Sequence, residues 1–365
     1  MIPIAKPFLG EEEIKAVANV LKSGIIAQGP KVNEIEEKFT KISGAKYAVA
    51  LNSGTAALHT ALKVAGIKEN DEVITTPFTF IATANTILMQ QAKPVFVDIE
   101  EDTFNIDAEK INEKITKKTK AIVTVDLFGH LCDYDVIDEI AEKNNLIIIE
   151  DACQAVNAEY KDKKAGSFGD VAAFSFYATK NITCAEGGMM VTGNKDFAGK
   201  AKLFRQHGRA DMAGYDYNDI GYNYRMTDIN AAILLEQLKK LDFLTKKRIE
   251  NAQYLSEGLG GIKGIGVPAV KKGHKHVFHQ YTIKVDGFKL DRDELAKHLN
   301  KKGIASSIFY PKSLHLCEHI KKFGYGGGDF PVAEELSKQV LSLPVHPHLT
   351  KEQLDLIINS IAELE

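Results

Sequence analysis

Three short stretches of the sequence combine residue types that could hold and activate a small anionic ligand. The first is Ser53-Gly54-Thr55, which separates the strand-like run Tyr47–Leu51 from a helix-forming run at residues 56–65. Where a strand enters a helix through small hydroxyl residues, backbone N–H groups and two Oγ atoms stay free to bind an anion, and the helix dipole assists them. The stretch therefore predicts either a phosphate site or an ordinary helix N-cap.

The second stretch places a carboxylate where a buried strand ends. Asp151 follows an apolar run at residues 146–149, so in a parallel sheet it would lie at the carboxyl edge, where open α/β folds bind ligands. A buried carboxylate without a partner is strongly unfavourable. No arginine is close to it in the sequence, which leaves two interpretations: a structural salt bridge to a distant residue, or a cationic group on a ligand.

The third stretch carries a lysine in a polar connection between two apolar segments. Lys180 follows residues 174–179 and precedes Glu186-Gly187-Gly188. A lysine among small and apolar residues can have a lowered pKa and form an imine with an aldehyde, although a surface lysine fits the same position. Together, a phosphate cradle, a strand-end Asp and a loop Lys are the contacts that a pyridoxal phosphate enzyme needs for the phosphate, the pyridine nitrogen and the aldehyde carbon.

Other motifs do not support a different class of ligand. The sequence contains no GxxxxGK[ST] and no GxGxxG after a strand, which excludes a P-loop and a dinucleotide fingerprint. The glycine-rich run at residues 324–328 lacks a preceding strand and is interpreted as a flexible loop. His274, His276 and His279 lie among lysines without an acidic or thiol partner nearby, so a solvated loop and strand edge is favoured and no metal is predicted.

Composition limits the function classes further. The 365 residues are 44% hydrophobic, enough for a substantial core, and 46 Lys and Arg against 49 Asp and Glu give a net charge of −3. A general nucleic-acid binder is therefore not expected. The four cysteines form no CxxC pair, and no apolar run resembles a signal peptide or a membrane span. These features predict a cytoplasmic protein that binds neither nucleic acid nor membrane.

The hydrophobic pattern predicts the elements that must position the three stretches. Helical periodicity occurs in residues 11–21 and 32–42, and each segment is followed by a glycine where a C-terminal cap would lie. Short apolar runs predict strands at Tyr47–Leu51 and at residues 73–75, 94–97, 121–125, 146–149, 171–174 and 189–192. Several of these runs are separated by helical patterns, which predicts an α/β domain with a largely parallel sheet.

The pattern changes after a long helical segment at residues 228–259. A strand-like run at 280–285 and helices near 291–300 and 333–340 predict a smaller α+β domain. The chain ends in a helix opened by a capping box of Thr350 and Gln353. We therefore predict a large α/β domain at residues 1–245 and a small C-terminal α+β domain at residues 246–365.

Five stretches, in family order, resemble the motifs of the DegT/DnrJ/EryC1/StrS sugar aminotransferases, and the resemblance covers nearly the whole chain. They are NSGTAAL at residues 52–58, TPFTFIATAN at 76–85, IEDACQA at 149–155, the segment from Ser175-Phe176 through Lys180 to EGG at 186–188, and GYNYRM at 221–226. The resemblance implies the fold-type I architecture of aspartate aminotransferase, with a mostly parallel central sheet, and a homodimer. Family dehydratases carry His at the lysine position, so Lys180 argues for an aminotransferase.

The same resemblance implies roles around pyridoxal 5′-phosphate (PLP) and its pyridoxamine form. Lys180 would bond to the aldehyde carbon, and Asp151 would pair with the pyridine nitrogen. Gln154 would contact the ring hydroxyl, and Phe80 would stack on the ring. The positions that correspond to phosphate contacts are Gly54, Thr55 and Ser175 of one subunit and Asn223 of the neighbouring subunit.

Arg225, Tyr310 and His315 are candidates for substrate contact. Arg225 could bind the carboxylate of the amino donor or could be a structural partner at the dimer interface. Two positions depart from the family pattern. Ala185 replaces a common glycine before Glu-Gly-Gly, and Ser313 replaces the usual proline after Tyr310.

The reaction implied by the resemblance is amino transfer from L-glutamate to a nucleotide-linked keto-deoxyhexose, with a 4-keto sugar favoured over a 3-keto sugar. Such an enzyme would serve amino-sugar or cell-surface polysaccharide biosynthesis. Two alternatives stay open. Another fold-type I PLP enzyme, such as a lyase or a desulfurase, would use the same three contacts, whereas a regulatory or binding protein on the same scaffold would not need them.

Overall fold

Helices on both faces enclose a central seven-stranded sheet in the computed structural model, which describes residues 1–209 and 215–365. The helices are α1 (Glu11–Ser23), α2 (Pro30–Ser43), α3 (Gly54–Val64), α4 (Ala82–Met89), α5 (Tyr134–Asn144), α6 (Lys195–Arg205), α7 (Asp228–Lys239), α8 (Leu241–Leu259), α9 (Arg292–Lys301), α10 (Glu318–Lys321), α11 (Pro331–Gln339) and α12 (Lys351–Ala362). Short 3₁₀ turns occur at Ala108–Lys114, Leu127–Gly129 and Leu314–Leu316.

The strands are β1 (Tyr47–Leu51), β2 (Glu72–Thr75), β3 (Lys93–Phe96), β4 (Thr119–Val125), β5 (Ile147–Asp151), β6 (Glu159–Tyr160), β7 (Lys163–Lys164), β8 (Val171–Ser175), β9 (Gly188–Thr192), β10 (Ile265–Gly266), β11 (His274–Lys275), β12 (Tyr281–Val285) and β13 (Val340–Leu343). The central sheet has the order β1-β9-β8-β5-β4-β2-β3. Strands β3, β2, β4, β5 and β8 pair in parallel, and β9 is antiparallel to both β8 and β1. The prediction of a largely parallel α/β sheet is confirmed, and each of the seven apolar runs coincides with one of its strands.

The central strands are apolar throughout because both faces of the sheet are covered. On β4, for example, Ile122 packs with the layer that contains α2, α5 and α7, whereas its neighbour Val123 packs with the layer of α3, α4 and α6. Successive side chains of a strand point to opposite faces, so burial on both faces requires apolar residues at nearly every position. This burial supports the strand ends that carry the polar residues.

The segment predicted as one long helix forms two helices, α7 and α8, that meet at Lys240. The Lys240 ammonium forms an ion pair with Glu13 of α1, with a distance of 2.7 Å between Nζ and Oε1. Glu13 is buried and also accepts a hydrogen bond from Gln237 Nε2 at 2.8 Å, so its carboxylate lies against the junction of α7 and α8. A long-range ion pair of this kind leaves no trace in the local helical periodicity.

A second core lies in the C-terminal part of the chain, around a small antiparallel sheet of β10, β12 and β13. The predicted domain boundary at residue 245 falls inside α8, whose Leu244 packs in the core of the central sheet and whose Leu255 packs in the second core. Ile2 also packs in the second core. Helix α8 therefore links the two cores, and the division into residues 1–245 and 246–365 stays a prediction.

Among the helices described, none combines the length and apolar character needed to cross a membrane.

Candidate active site

A cavity of about 400 Å³ lies at the carboxyl ends of β4, β5 and β8. Segments of the C-terminal part, at residues 279–280 and 309–310, close one side of it. This is the edge of a parallel sheet at which α/β folds bind ligands. The structure brings eight of the predicted site residues together in its walls: Gly54, Thr55, Phe80, Asp151, Gln154, Ser175, Lys180 and Tyr310.

A larger and shallower depression, of about 980 Å³, lies at the opposite edge of the sheet, beside the first residues of β4 and β5. Its carboxylates are engaged in holding loops. Asp71 accepts a hydrogen bond from the Lys68 backbone N–H at 3.0 Å, and Asp170 accepts one from the Ile148 N–H at 2.9 Å. None of the candidate site residues lines this depression.

The turn before α3 forms one wall of the cavity. Ser53 caps the helix, because its Oγ accepts a hydrogen bond from the Ala56 N–H at 3.1 Å. The next two residues, Gly54 and Thr55, begin the helix, where backbone N–H groups have no intrahelical acceptor. A Cβ atom at Gly54 would lie only 2.7 Å from Ser175 Cβ, so glycine is needed for the turn to approach the end of β8. The turn is therefore a helix N-cap, and the phosphate site stays a prediction that would use the N–H groups following this cap.

Gly188 makes the second close approach to this turn. A Cβ atom there would lie 2.1 Å from the carbonyl oxygen of Ser53. We expect Gly188→Ala to lower the free energy of unfolding by about 1–3 kcal/mol, because either β9 or the turn must move. Urea unfolding measures the change. The matched control is Gly199→Ala on the exposed face of α6, where a Cβ meets nothing within 4 Å and should add about 1 kcal/mol through helix propensity. Equal effects at the two positions would contradict the steric explanation.

Asp151 ends β5 with a buried carboxylate. Its Oδ2 accepts a hydrogen bond from Thr83 Oγ1 at 2.8 Å, and its Oδ1 accepts one from the Cys153 N–H at 3.3 Å. Burial raises the pKa of Asp151 above its ordinary value, and these hydrogen bonds and the charge of Lys180 only partly offset the effect. Within the described ranges, no cationic side chain lies within ion-pair distance of Asp151. The structural salt bridge considered from the sequence is therefore absent from this part of the chain.

Lys180 lies in the connection between β8 and β9 and lines the cavity. Its backbone N–H donates a hydrogen bond to the Tyr177 carbonyl at 2.9 Å, which holds a tight turn immediately after β8. Burial lowers the pKa of the Lys180 ammonium, although the nearby Cys153 and Asp151 act in the opposite direction. A lowered pKa favours the neutral amine, which is the form that attacks a carbonyl or accepts a proton. The surface-lysine interpretation does not agree with this position.

Ala185, where the family pattern has glycine, adopts a backbone conformation that favours glycine. Ala185 has φ of 70°, in the left-handed region that glycine adopts without strain. Its N–H donates a hydrogen bond to Thr183 Oγ1 at 3.0 Å, and Asn230 Nδ2 donates to the carbonyls of Cys184 and Glu186 at 2.6 and 2.9 Å. These contacts hold the loop in a conformation that the alanine itself disfavours.

Gln154 connects the cavity to the C-terminal part of the chain. Its Oε1 accepts a hydrogen bond from the Phe128 N–H at 3.0 Å, and its Nε2 donates to Tyr310 Oη at 3.3 Å. The Phe128 carbonyl in turn accepts from the His279 N–H at 2.8 Å. With its oxygen engaged by Phe128, the amide group of Gln154 presents its donor side to Tyr310 and the cavity.

The residues of the cavity wall that were not predicted as site residues include Thr83, Phe128 and His279. Thr83 lies in the family motif at residues 76–85, in the first turn of α4 and four residues after Thr79. This spacing of two hydroxyl groups is a local signal that could have indicated Thr83. Phe128 has φ of 57°, and His279 reaches the cavity only because a distant segment folds onto it. No local pattern distinguishes these last two residues.

Asn223 and Arg225 lie outside the cavity of their own chain. Asn223 is exposed, and its side chain forms no hydrogen bond with any residue in the described ranges, although its backbone carbonyl accepts one from Asn52 Nδ2 at 3.3 Å. Arg225 is partly exposed and pairs with Leu51 through a backbone bridge at the end of β1. Both residues are therefore on the surface beside the turn that begins α3.

His315 does not line the cavity, so its contact with substrate stays a prediction without support from this position. Its side chain has no exposed surface, and its Nδ1 and Nε2 lie 2.8 and 3.0 Å from Ser313 Oγ and Glu334 Oε1. Ser313, which replaces the proline of the family pattern, donates its hydroxyl proton to the Pro77 carbonyl at 3.2 Å, so its Oγ accepts from His315 Nδ1. These contacts attach the loop after Tyr310 to the segment that precedes Phe80, which is a structural role.

The histidines interpreted as a solvated loop are partly buried instead. His276 and His279 are each 6% exposed, and burial holds the pKa of both well below the ordinary value. They lie beneath neighbouring segments because β11 pairs with β6 and the following residues pack on Phe128 and Gly129. No group of three or more His, Cys, Asp or Glu side chains in the described part of the chain is arranged to hold a metal ion.

Comparisons with known proteins agree with this geometry. Residues 7–362 match the family model described as the DegT/DnrJ/EryC1/StrS aminotransferase family. The chain is similar to the spore coat polysaccharide biosynthesis protein SpsC of Bacillus subtilis, with 40% identity over 100% of this chain and 97% of SpsC. It is also similar to the GDP-perosamine synthase of Caulobacter vibrioides, with 38% identity over 100% of this chain and 98% of that protein.

Two solved structures of one bacterial protein superimpose on the whole chain. The Streptococcus pneumoniae protein Spr1654 in its PLP form superimposes with a TM-score of 0.95 and 32% identity, over 100% of this chain and 98% of that one. A PMP form of the same protein matches with the same TM-score. The fold is therefore that of the PLP-dependent aminotransferases of fold type I.

Proposed function

The chain belongs to the DegT/DnrJ/EryC1/StrS aminotransferase family, and we propose that it transfers the amino group of L-glutamate to a nucleotide-linked 4-keto-6-deoxyhexose. The observation that carries the proposal is the convergence of Lys180, Asp151 and the beginning of α3 in one cavity. The family is PLP-dependent, and a test of the cofactor assignment is whether the residues present fit its three functional groups.

The phosphate end fits the turn that begins α3. Gly54 and Thr55 supply N–H groups without an intrahelical acceptor, and Ser175 adds a hydroxyl group at the end of β8. The helix dipole also favours an anion here. A Cβ atom at Gly54 would fill this space, since it would lie 3.0 Å from Ser175 Oγ. The arrangement supports a dianionic phosphate at this wall.

The pyridine end fits Asp151. A buried carboxylate with a raised pKa and no ion-pair partner among the described residues is compensated when a cationic N–H is placed against it. A protonated ring nitrogen is such a group. Asp151 would keep that nitrogen protonated, and Thr83 holds the carboxylate in place through its 2.8 Å hydrogen bond.

The aldehyde end fits Lys180, whose lowered pKa favours the amine that bonds to a carbonyl carbon. Bound PLP supplies an aldehyde and a ring that accepts the electron pair left when the α-proton of an amino donor is removed. Lys180 would hold the cofactor through its aldehyde carbon. As a free amine, Lys180 would accept that proton from the donor carbon and return it to the cofactor side, and it would move protons in the reverse direction when the keto sugar is aminated.

The side walls fit a flat ring. Phe80 is 55% exposed and lines the cavity, and its ring centroid lies 6.5 Å from that of Tyr310. An exposed aromatic face at a cavity mouth stabilises a stacked ring. Gln154 Nε2, oriented by Phe128, would donate a hydrogen bond to the ring hydroxyl.

A second subunit would complete the site. The anion wall of one chain contains no arginine, and Lys180 is the one cationic side chain lining the cavity among the described residues. Asn223 and Arg225 are partly or fully exposed beside the turn that begins α3. We infer that in a homodimer Asn223 contacts the phosphate in the neighbouring cavity, and that Arg225 contributes to binding the donor carboxylate.

A desulfurase function is not supported by the one thiol in the cavity. Cys153 lies beside Asp151, and burial raises the pKa of its thiol far above the ordinary value. A thiol in that state is a poor nucleophile, whereas a desulfurase needs a reactive thiolate that reaches the substrate. Cys153 instead packs against Gly54 and the carbonyl of Ala173.

The assay that tests the proposed function mixes the PLP-loaded protein with L-glutamate and either a 4-keto or a 3-keto sugar nucleotide. We expect 2-oxoglutarate and an amino sugar nucleotide from the 4-keto substrate, detected by mass spectrometry and NMR. Product from the 3-keto substrate alone would overturn the preferred position of amination. Efficient exchange between simple amino and keto acids, with no product from either sugar, would overturn the substrate class.

A further inference from the structure

We propose that His59 is a positioning residue for Asn223. His59 lies on the helix that begins at the cavity of its own subunit, whereas Asn223 would reach the cavity of the partner subunit. His59 would therefore link the two cavities. The inference rests on the proposed function, in which Asn223 crosses to the neighbouring cavity. His59 lies on α3, whose first residue, Gly54, lines the cavity, and it is only 2% exposed.

The contact is a hydrogen bond within an aromatic cluster. His59 Nδ1 lies 3.0 Å from Tyr224 Oη, and the His59 ring also meets the Tyr222 ring edge-on, with centroids 5.3 Å apart. Phe204 of α6 packs edge-on against His59 at 5.2 Å. The His59 ring is buried, and a buried ring nitrogen is costly to leave unpaired, so the 3.0 Å contact with the partly buried Tyr224 stabilises its position.

The cluster determines which way Asn223 faces. Tyr222 and Tyr224 are stacked with centroids 4.9 Å apart and an angle of 11° between the rings. In extended backbone, alternate side chains point to the same side, so holding both tyrosines against His59 turns Asn223 outward. Asn223 is accordingly exposed, with no side-chain hydrogen bond to any described residue.

The backbone of the same segment is held on both sides. The Tyr222 N–H donates to the Phe204 carbonyl at 2.8 Å, and the Tyr224 N–H donates to the Arg205 carbonyl at 3.0 Å. The Tyr224 carbonyl accepts from the N–H of Asn52, which directly precedes the turn that begins α3. Burial, with a smaller effect of the Lys63 charge, lowers the pKa of His59 to about 4. The contact is therefore a neutral hydrogen bond at physiological pH.

A hybrid dimer separates this role from a local structural role. One subunit carries Lys180→Ala, so that only the cavity of the other subunit can be labelled at Lys180 after borohydride reduction. Tyr224→Phe, which removes only the hydroxyl, is placed either in the Lys180→Ala subunit or in the subunit with the intact lysine. The fraction of Lys180 labelled at increasing PLP concentration gives the cofactor affinity of the single competent cavity.

We expect about fivefold weaker PLP binding when Tyr224→Phe lies in the Lys180→Ala subunit, and an unchanged affinity when it lies in the subunit with the intact lysine. His59→Leu in the Lys180→Ala subunit should act as Tyr224→Phe does. His59→Asn, whose amide occupies the position of Nδ1, should restore the affinity. The opposite pattern, with weaker binding only when the change shares a subunit with the intact lysine, would show that His59 acts on its own α3 and would overturn the inference.

Asn223→Ala in the Lys180→Ala subunit distinguishes failure of the inference from failure of the proposed function. If Asn223→Ala weakens PLP binding there and Tyr224→Phe does not, Asn223 crosses the interface without help from His59, and only the inference is wrong. If Asn223→Ala has no effect there, the proposed interface is wrong, and the inference falls with it.

Discussion

Replacing Lys180 with alanine is expected to reduce amino transfer by about 10⁴-fold or more, because the same amine binds the cofactor and moves the proton. The cavity should still bind PLP, since the α3 turn, Asp151 and Phe80 are unchanged. Stopped-flow assays of 2-oxoglutarate formation measure the loss, and absorbance titration measures the remaining cofactor binding. Added methylamine should restore part of the proton transfer.

Lys195→Ala provides the matched control, because Lys195 begins α6 on the exposed surface and does not line the cavity. Its turnover should equal that of the unaltered protein. Turnover in the Lys180→Ala protein within a factor of ten of the control would mean that another group moves the proton.

Asp151→Asn is expected to lower turnover by about 10²-fold or more, with a much smaller change in PLP affinity. The substitution keeps the shape of the side chain and one acceptor oxygen, but it removes the negative charge that would keep the ring nitrogen protonated. The separation of kcat from cofactor affinity is the informative result, because a purely structural defect would reduce both.

Thr83→Ser is the control for Asp151→Asn, since it keeps the hydroxyl group that donates the 2.8 Å hydrogen bond to Asp151 Oδ2. Its turnover should stay within about threefold of the unaltered protein, the range set by a retained hydrogen bond. Near-normal turnover of Asp151→Asn would assign this carboxylate to the fold and not to the reaction.

The parts of the site predictable from the sequence are those in which a short segment determines its own geometry. The turn Ser53-Gly54-Thr55 follows a strand and begins a helix, so its hydroxyl and N–H groups could be placed before the structure was known. Asp151 could be placed in the same way, because an apolar strand buried on both faces must end at the carboxyl edge of the sheet.

The parts that could not be predicted depend on contacts between distant segments. His315 is buried because Glu334, on a later helix, reaches its Nε2. His279 lines the cavity, where its backbone N–H donates a hydrogen bond to the Phe128 carbonyl. Phe128 itself has a left-handed backbone conformation. The ion pair of Lys240 with Glu13 joins the junction of α7 and α8 to α1. Such contacts have no local periodicity, so residue patterns do not indicate them.

The most direct test of the central claim is to identify the lysine that bonds to PLP. The protein is incubated with PLP, reduced with sodium borohydride, digested and mapped by mass spectrometry. The account predicts a pyridoxyl adduct on the peptide that contains Lys180, together with loss of the adduct in the Lys180→Ala protein. A stoichiometric adduct on any other lysine, with Lys180 unlabelled, would contradict it.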